Sequence, residues 1–109
     1  MPAARATARW TREATDDLRE IWRYYALVGS PELADSFTLK LTEAGTRIAQ
    51  RPLTWRARND IAPGLRSMRV PPYSLYYRVT SGEVEILRVL HERRNVAGLL
   101  GRLLRGGDI

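Results

Sequence analysis

The sequence has no cysteine and a single histidine, His91, among its 109 residues. The absence of cysteine excludes disulfide bonds, thiolate metal sites and cysteine nucleophiles, and one histidine cannot form a multi-histidine metal site. No apolar run approaches the length of a membrane span, and Met1 to Arg5 lack the apolar core of a signal peptide. We therefore expect a cytoplasmic protein with no membrane partner, organised as one domain over residues 1–109.

Lysine is nearly absent as well, since Lys40 is the only one beside seventeen arginines. The net charge of +6 comes entirely from residues 51–109, which carry eleven basic and five acidic side chains, whereas residues 1–50 carry seven of each. An arginine-rich half favours an anionic partner, either nucleic acid or an acidic protein segment. A GC-rich genome would also favour arginine over lysine, but it would not explain the difference between the two halves.

The first half predicts two amphipathic helices. Thr11 is a suitable N-cap for the first helix, and Gly29 is suited to end it. Ser30 and Pro31 begin the second helix, and Pro52 stops it. The apolar faces consist of Ala14, Leu18, Ile21, Trp22 and Tyr25 in the first helix and of Ala34, Phe37, Leu41, Ala44 and Ile48 in the second. The short connection predicts an antiparallel hairpin. We expect the aromatic residues Trp10, Trp22, Tyr25 and Phe37 to lie in the core.

The remaining segments alternate in the manner of strands. We predict strands at 5–10, Leu65–Val70, Tyr73–Thr80 and Glu83–His91, an irregular loop at 53–64, a two-residue turn at Ser81-Gly82 and a short helix at Val96–Arg105. Leu75, Tyr77 and Val79 should share one face, and the apolar residues of the last strand predict burial on both faces. The fold class is α+β, with an N-terminal strand, an α-helical hairpin packed on a small antiparallel sheet and a short C-terminal helix.

Three segments of the chain resemble a known family. Trp10–Ala14 is similar to its opening strand and first helix, and Tyr73–Val79 is similar to its central "Y-x-I-x-Y-x-V" strand. Ile86–Asn95 resembles the ParE-type strand end "I-L-R-V-L-H-x-R-R", which is the most specific of the three. With the approach to the sheet at Gly64–Arg66, the resemblance covers roughly residues 6–98. The chain thus resembles a ParE-type toxin of the RelE/ParE toxin–antitoxin superfamily.

The resemblance implies one of two activities, because RelE-like members cut messenger RNA in the ribosome and ParE-like members poison DNA gyrase. RNA cleavage by 2′-hydroxyl attack needs groups that accept and supply a proton and cations that hold the phosphate. The positions of two RelE-like lysines and one arginine fall here at Leu65, Ser67 and Ser74, and no tyrosine follows Tyr77. We therefore expect no catalytic residues, although slippage by one residue would bring Arg66 or Arg93 into the nuclease set.

The candidate residues for binding an antitoxin or a target are mainly cationic. We predict that a partner contacts Arg66, Arg78, Arg88, His91, Arg93, Arg94, Leu99 and Leu103. Alternation predicts that Arg78 and Arg88 share one surface. The alternative is that the arginines are solvated strand residues paired with Glu83 and Glu85. His91 is either an acid–base group or a strand-end histidine that hydrogen-bonds a neighbouring carbonyl or carboxylate, and we favour the second role.

The function that the resemblance implies is that of a type II toxin. Its partners would be a ParD-like antitoxin with an acidic C-terminal segment and, as the target, DNA gyrase, with no cofactor and no small-molecule substrate. Two other functions stay open: a RelE-like ribosome-dependent endoribonuclease, and a degenerate toxin that only binds its antitoxin.

Overall fold

The computed structural model describes residues 7–94 and 96–100. In chain order the elements are β1 (Ala8–Trp10), α1 (Arg12–Val28), α2 (Pro31–Gln50), β2 (Arg56–Ala57), β3 (Arg66–Val70), β4 (Tyr73–Thr80) and β5 (Glu83–His91). Residues 96–100 are also helical, so the predicted α+β class is confirmed together with the beginning of its C-terminal helix. Within the described residues, no helix combines the length and the apolar character needed to cross a membrane.

Local hydrogen bonds at the helix ends explain why the two helices begin and end as the sequence predicts. Thr11 Oγ1 accepts the N–H of Ala14 at 3.0 Å, and Ser30 Oγ accepts the N–H of Leu33 at 3.0 Å. Each bond satisfies one of the free N–H groups in a first helical turn. The backbone N–H of Gly29 donates to the last turn of α1 at 2.9 Å. The two helices pack together as the predicted hairpin.

The sheet has five strands in the order β1-β5-β4-β3-β2. The strands from β2 to β5 are antiparallel, whereas β1 pairs parallel with β5. The predicted turn joins β4 to β5, and both Ser81 (φ 52°) and Gly82 (φ 77°) adopt the left-handed conformation that such two-residue turns require. The prediction of an irregular loop at 53–64 is wrong in one respect, because it contains β2, whose Arg56 pairs with Ser67. The first strand begins at Ala8, and residues 1–6 lie outside the described residues.

The sheet buries apolar side chains on both faces. We call the face under the helical hairpin the proximal face and the opposite one the distal face. Ile86 and Val89 of β5 pack on the proximal face, whereas Leu87 and Leu90 belong to a smaller distal cluster. Burial of β5 on both faces is therefore confirmed. The distal cluster consists of Ala62, Leu65, Tyr76, Leu87, Leu90 and Leu100.

A β-bulge interrupts the alternation of β5. Tyr76 pairs with Arg88 but the next residue, Tyr77, pairs with Ile86, so Leu87 is an additional residue in the strand. A bulge changes the direction in which the following side chains point. Side-chain directions in β5 consequently cannot be obtained by simple alternation from Glu83 to His91.

One prediction of burial is wrong. Trp22 is predicted in the core, but it is only half-buried and does not belong to the core cluster. Its indole N–H donates to Asp35 at 2.8 Å, so Trp22 bridges the outer surfaces of α1 and α2. Val79 lies in β4 at the spacing that places it on the face of Leu75 and Tyr77, and it is 37% exposed because it lies close to the turn at the end of the hairpin.

Candidate functional site

The distal face carries a polar pocket whose residues are brought together by the strand register. Arg56 pairs with Ser67, Ser67 with Tyr76, and Arg69 with Ser74, so these five side chains share one face. Tyr76 belongs to the distal cluster, which identifies that face as the distal one. The pocket has a volume of about 440 Å³, and we call it the distal pocket. It is lined by Trp55, Arg56, Arg58, Ser67, Met68, Arg69, Ser74, Tyr76, Glu92 and Val96.

Three arginines and one carboxylate supply the charge of the distal pocket. Arg58 donates two hydrogen bonds to Asp60, at 3.1 and 3.0 Å, and this contact raises the pKa of Arg58 and lowers that of Asp60. Arg69 and Glu92 form an ion pair at 3.0 Å with side chains 65% and 46% exposed. Arg56 forms no ion pair within the described part of the chain. The pocket lining is therefore cationic, by three positive charges to one negative charge.

The floor of the distal pocket contains hydroxyl groups. Ser67 and Ser74 are only 5% and 6% exposed. The indole N–H of Trp55, which also lines the pocket, is buried without a hydrogen-bond partner among the described residues. The guanidinium of Arg58 lies 6.0 Å from the ring centre of Tyr76, which itself is 4% exposed. Cationic groups, two serine side chains and the Tyr76 ring thus line one space.

The positions that the resemblance assigns to nuclease residues lie on this same face. Ser67 and Ser74 line the distal pocket, and Leu65 is buried beside it in the distal cluster. Two serines and a leucine therefore stand where lysines and an arginine would be needed to act on a scissile phosphate. The phenol of Tyr76 is the only side chain in this lining that could act as a neutral proton donor with an ionisable group. The lining contains no histidine or lysine, and its one carboxylate, Glu92, is engaged by Arg69.

Arg66 and Tyr77 act together on the loop that follows α2. The Arg66 guanidinium donates to the carbonyls of Leu53 and Trp55, at 3.3 and 2.7 Å, and Tyr77 donates its hydroxyl to the carbonyl of Pro52 at 2.6 Å. Burial raises the pKa of Tyr77 to about 12. The predicted partner-binding residue Arg66 is therefore already engaged in the fold, on the opposite side of β3 from the distal pocket.

Arg88 is bound by an acidic residue that the sequence analysis did not identify as its partner. Asp17, in α1, accepts two hydrogen bonds from Arg88, at 2.8 and 2.9 Å, and a third from the backbone N–H of Val89 at 2.8 Å. The Asp17 contact raises the pKa of Arg88. The alternative that pairs the arginines with Glu83 and Glu85 is thus wrong for Arg88. The sequence did contain a signal for this pairing, because Asp17 is an acidic residue on the buried side of an amphipathic helix.

Arg78 lies in a separate ionic cluster. Glu85 is 9% exposed and pairs with Arg78 at 2.9 Å and also with Arg9 of β1. The expected pairing with Glu85 is therefore confirmed for Arg78. Arg78 and Arg88 are held by different carboxylates on either side of the β-bulge, so the structure does not bring them into one cluster.

His91, Arg93 and Arg94 lie at the end of β5. His91 Nδ1 accepts the backbone N–H of Arg93 at 3.1 Å, so its partner is an amide rather than the expected carbonyl or carboxylate. The His91 ring stands edge-on to Tyr73 at 5.4 Å. A cleft of about 220 Å³ contains His91 and Arg94, and neither Arg93 nor Arg94 forms an ion pair within residues 7–94 and 96–100. These two arginines are available to a partner.

Of the two leucines predicted to contact a partner, Leu99 lies within the described residues and Leu103 does not. Leu99 is half-buried and packs against the distal cluster next to the fully buried Leu100. Leu99 is therefore only partly accessible to a partner, because it packs against the distal cluster.

Exposed apolar side chains are concentrated instead on the helical hairpin. A shallow groove of about 460 Å³ runs between α1 and α2 and is lined in part by Leu18, Trp22 and Leu39. Leu39 is 57% exposed, and Leu27 near the end of α1 is 84% exposed. A small protein that exposes such a surface commonly uses it for binding. This groove was not predicted from the sequence, because Trp22 was expected to lie in the core.

Comparisons with known proteins agree with this architecture. The family described as "ParE toxin of type II toxin-antitoxin system, parDE" matches residues 8–96. Toxin ParE3 of Caulobacter vibrioides is 32% identical over 92 residues, which are 84% of this chain and 92% of that protein. The chain therefore belongs to the ParE toxin family of the RelE/ParE superfamily, as the sequence motifs predict.

Two further similarities bear on structure and on the alternative activity. The solved structure titled "Chromosomal ParDE TA system from P. aeruginosa" superposes with a TM-score of 0.70 at 28% identity, and it covers 80% of this chain and 96% of that one. Toxin RelE2 of Caulobacter vibrioides is 36% identical over 85 residues, 78% of this chain and 93% of that protein. Both branches of the superfamily are thus represented among the relatives.

Proposed function

We propose that this toxin inhibits DNA gyrase and that a ParD-like antitoxin with an acidic C-terminal segment neutralises it in the cytoplasm. Membership of the ParE family supports the proposal. The observation that carries it is the chemistry of the distal face, where Leu65, Ser67 and Ser74 occupy the positions expected for nuclease cations. The lining has no histidine or lysine, and its carboxylate, Glu92, is paired with Arg69, so the proton transfer on which cleavage of RNA depends is poorly supported there.

A ribosome-dependent endoribonuclease is the second candidate. The similarity to toxin RelE2 favours it, and so does the presence of three arginines in the distal pocket. Arginine can stabilise a phosphorane-like transition state electrostatically, but its pKa is too high for it to serve as a general base at neutral pH. The gyrase proposal therefore accounts better for the residues that are present.

The target assay compares both activities with one preparation of the toxin. Purified protein should inhibit gyrase supercoiling or trap cleaved DNA, and it should leave messenger RNA intact on programmed ribosomes. A matched antitoxin from the neighbouring reading frame should restore supercoiling. Cleavage of messenger RNA at stoichiometric toxin, with supercoiling unaffected, would replace gyrase with the ribosome as the target. Failure of both assays, together with normal growth of the native host expressing soluble toxin alone, would identify a degenerate toxin.

The antitoxin is proposed to contact two surfaces. An amphipathic segment would pack on the hairpin groove beside Trp22 and Leu39. Its acidic side chains would reach Arg93 and Arg94, which form no ion pair with the residues that the structure describes. Arg78 and Arg88 already have carboxylate partners, so they are less suited to an intermolecular ion pair than their sequence positions indicate.

Single substitutions test both surfaces. Leu39→Ser and Arg94→Ala should each weaken antitoxin binding by about tenfold, which corresponds to the loss of one apolar or charged contact of about 1.4 kcal/mol. The thermal midpoint of the free toxin should barely change, because both side chains are accessible to solvent. Thr46→Ala, on an exposed position of α2, is the control. Unchanged affinity for Leu39→Ser and Arg94→Ala would exclude these surfaces.

A further inference from the structure

We propose that the loop between α2 and β2, residues 51–55, is the surface by which the toxin contacts its target protein, and that the target offers this loop an apolar pocket with an acidic rim. This inference rests on the proposed function in one respect, since that function gives the toxin a protein as its target. We call the segment the α2–β2 loop.

The backbone of the α2–β2 loop forms a tight turn. The N–H of Thr54 donates to the carbonyl of Arg51 at 3.1 Å, which closes a four-residue β-turn with Pro52 and Leu53 at its centre. Proline at the second position of such a turn fixes one backbone torsion in advance. Leu53 is 69% exposed, so the turn holds an apolar side chain out in the solvent.

Side chains of the sheet hold this turn from the inside. The hydroxyl of Tyr77 donates to the carbonyl of Pro52 at 2.6 Å, and the guanidinium of Arg66 donates to the carbonyls of Leu53 and Trp55 at 3.3 and 2.7 Å. Loops that carry binding residues are commonly positioned by a rigid scaffold in this way. A loop that is already fixed loses little conformational entropy when it binds, so these contacts prepare Leu53 for a partner.

The surroundings of Leu53 are cationic. Residues 44–59 contain four arginines and no acidic residue. Arg51 and Arg56 flank Leu53 in the chain, and Arg47 lies one helical turn before Arg51. These three arginines are exposed and form no ion pair with the residues that the structure describes. Their charge complements carboxylates at the rim of a pocket that receives the leucine.

The exposed leucine favours a protein partner over a nucleic acid. Arginines alone would suffice to contact phosphates, and bases are bound by stacking on aromatic side chains rather than on an aliphatic one. Leu53 gains from binding only where its surface leaves water, which requires an apolar pocket on the partner. The combination of a fixed apolar tip and unpaired cations therefore fits an acidic protein surface.

The α2–β2 loop lies apart from the surfaces proposed for the antitoxin. Arg66, which holds the loop, pairs with Tyr77, whereas the His91 end of β5 pairs with Tyr73, about 13 Å further along β4. Leu39 of the hairpin groove lies roughly 16 Å along α2 from the end of that helix. Substitutions in the loop should therefore impair contact with the target and leave the antitoxin contacts intact.

The test titrates purified full-length toxin against DNA gyrase in a supercoiling assay. Leu53→Ser should raise the toxin concentration for half-inhibition about tenfold, because the apolar contact is lost. Arg51→Gln should raise it about threefold at low salt and less at high salt, as expected for a charge at the rim. Pro52→Ala should raise it about threefold, because the free turn samples more conformations.

Two matched controls make the same chemical changes away from the loop. Leu27, which is 84% exposed, and Arg23, which is also exposed, both lie on α1. Leu27→Ser and Arg23→Gln should inhibit gyrase like the parent. If either control impairs inhibition as much as its counterpart in the loop, the effect is general and the proposal is wrong. Leu53→Ser and Arg51→Gln should keep the thermal midpoint and the antitoxin affinity of the parent, which shows that they are folded.

Growth arrest in the native host separates this inference from the choice of gyrase. If Leu53→Ser inhibits gyrase as strongly as the parent, the loop is not the contact, although gyrase stays the target. If the parent arrests growth but leaves supercoiling unaffected, gyrase is wrong, and Leu53→Ser should still relieve the arrest at equal toxin levels. Arrest as severe as that of the parent would then overturn the loop as well, and so would a parent that neither inhibits gyrase nor arrests growth.

Two further outcomes would assign the α2–β2 loop to a different partner. Weaker antitoxin binding by Leu53→Ser, with unchanged inhibition of gyrase, would make the loop an antitoxin surface. Binding of fluorescein-labelled oligouridylate that Arg51→Gln weakens and Leu53→Ser does not, with toxicity following the same order, would assign the loop to a nucleic acid. Either result contradicts the proposal.

Discussion

Asp17 should be the charged residue whose loss destabilises this toxin most among those described. It lies in α1, is 8% exposed and accepts three hydrogen bonds from β5. Two come from the Arg88 side chain, and one comes from the backbone N–H of Val89. β1 pairs with β5 only as far as Ile86, so the carboxylate satisfies the strand edge just beyond the end of that pairing.

The expected loss in the free energy of unfolding depends on which groups each substitution leaves without a partner. Asp17→Ala leaves the guanidinium of Arg88, 18% exposed, without its counter-ion and leaves the N–H of Val89 without an acceptor. Removing one partner of a buried ion pair costs about 3–5 kcal/mol, which is a large part of the stability of a small protein. Asp17→Asn should cost about 2 kcal/mol, because its carbonyl can still accept the Val89 N–H while the charge is lost.

Urea denaturation followed by circular dichroism measures these costs, provided that the m-value stays constant. Arg88→Met and the double variant complete a thermodynamic cycle, and we expect a coupling free energy of about 2 kcal/mol or more. Asp16→Asn is the control, since the neighbouring carboxylate forms only an exposed pair with Arg19 and should cost about 0.5 kcal/mol or less. A loss below about 1 kcal/mol for Asp17→Ala, or additive effects in the cycle, would refute this account.

Two further predictions concern the core. Gly45→Ala should lower the free energy of unfolding by about 1–3 kcal/mol in urea denaturation. The added Cβ would lie 2.6 Å from the indole of Trp10, and this clash outweighs the better helix propensity of alanine. Thr46→Ala, at the next position of α2, is the control and should leave the stability unchanged. Burial raises the pKa of both Tyr73 and Tyr77 to about 12. Both tyrosines ionise near pH 10 in the unfolded state, before they ionise in the folded state. Their burial should therefore contribute fully to the free energy of unfolding below about pH 10, and this contribution should fall as the pH rises towards 12. The same free energy of unfolding at pH 9 and at pH 11 would contradict the burial of these phenols.

The sequence was sufficient for the elements whose signals are local. Thr11, Gly29 and Ser30 predict helix ends because a cap is formed by residues within one turn of each other. The hairpin of β4 and β5 was equally predictable from the sequence, because two residues suffice to specify its turn. Ser81 and Gly82 adopt the backbone conformation that this turn requires. The motif at the end of β5 sufficed to predict the family, which the comparisons confirm.

The placement of charged side chains depended on the tertiary structure. Arg88 and Asp17 are 71 residues apart in sequence, and their contact exists because α1 packs against the edge of β5. The bulge at Leu87 shifts the register of β5, so that Arg88 lies opposite Tyr76, a position that strict alternation from the turn does not predict. No local pattern specifies a bulge, because it reflects how β5 accommodates β1 on one side and β4 on the other.

The candidate sites also arise from contacts between distant segments. The distal pocket was not predicted, since Arg56 and Arg58 lie in a segment read as an irregular loop, and only the pairing of β2 with β3 brings them to the serines of β3 and β4. The hairpin groove depends on the crossing of two helices, which leaves Trp22 on their outer side. The sequence by itself therefore determined the helices, the main strands and the family, because these depend on local spacing. The tertiary structure alone decided which cations are paired and which face an open pocket, because that depends on distances between residues far apart in the chain.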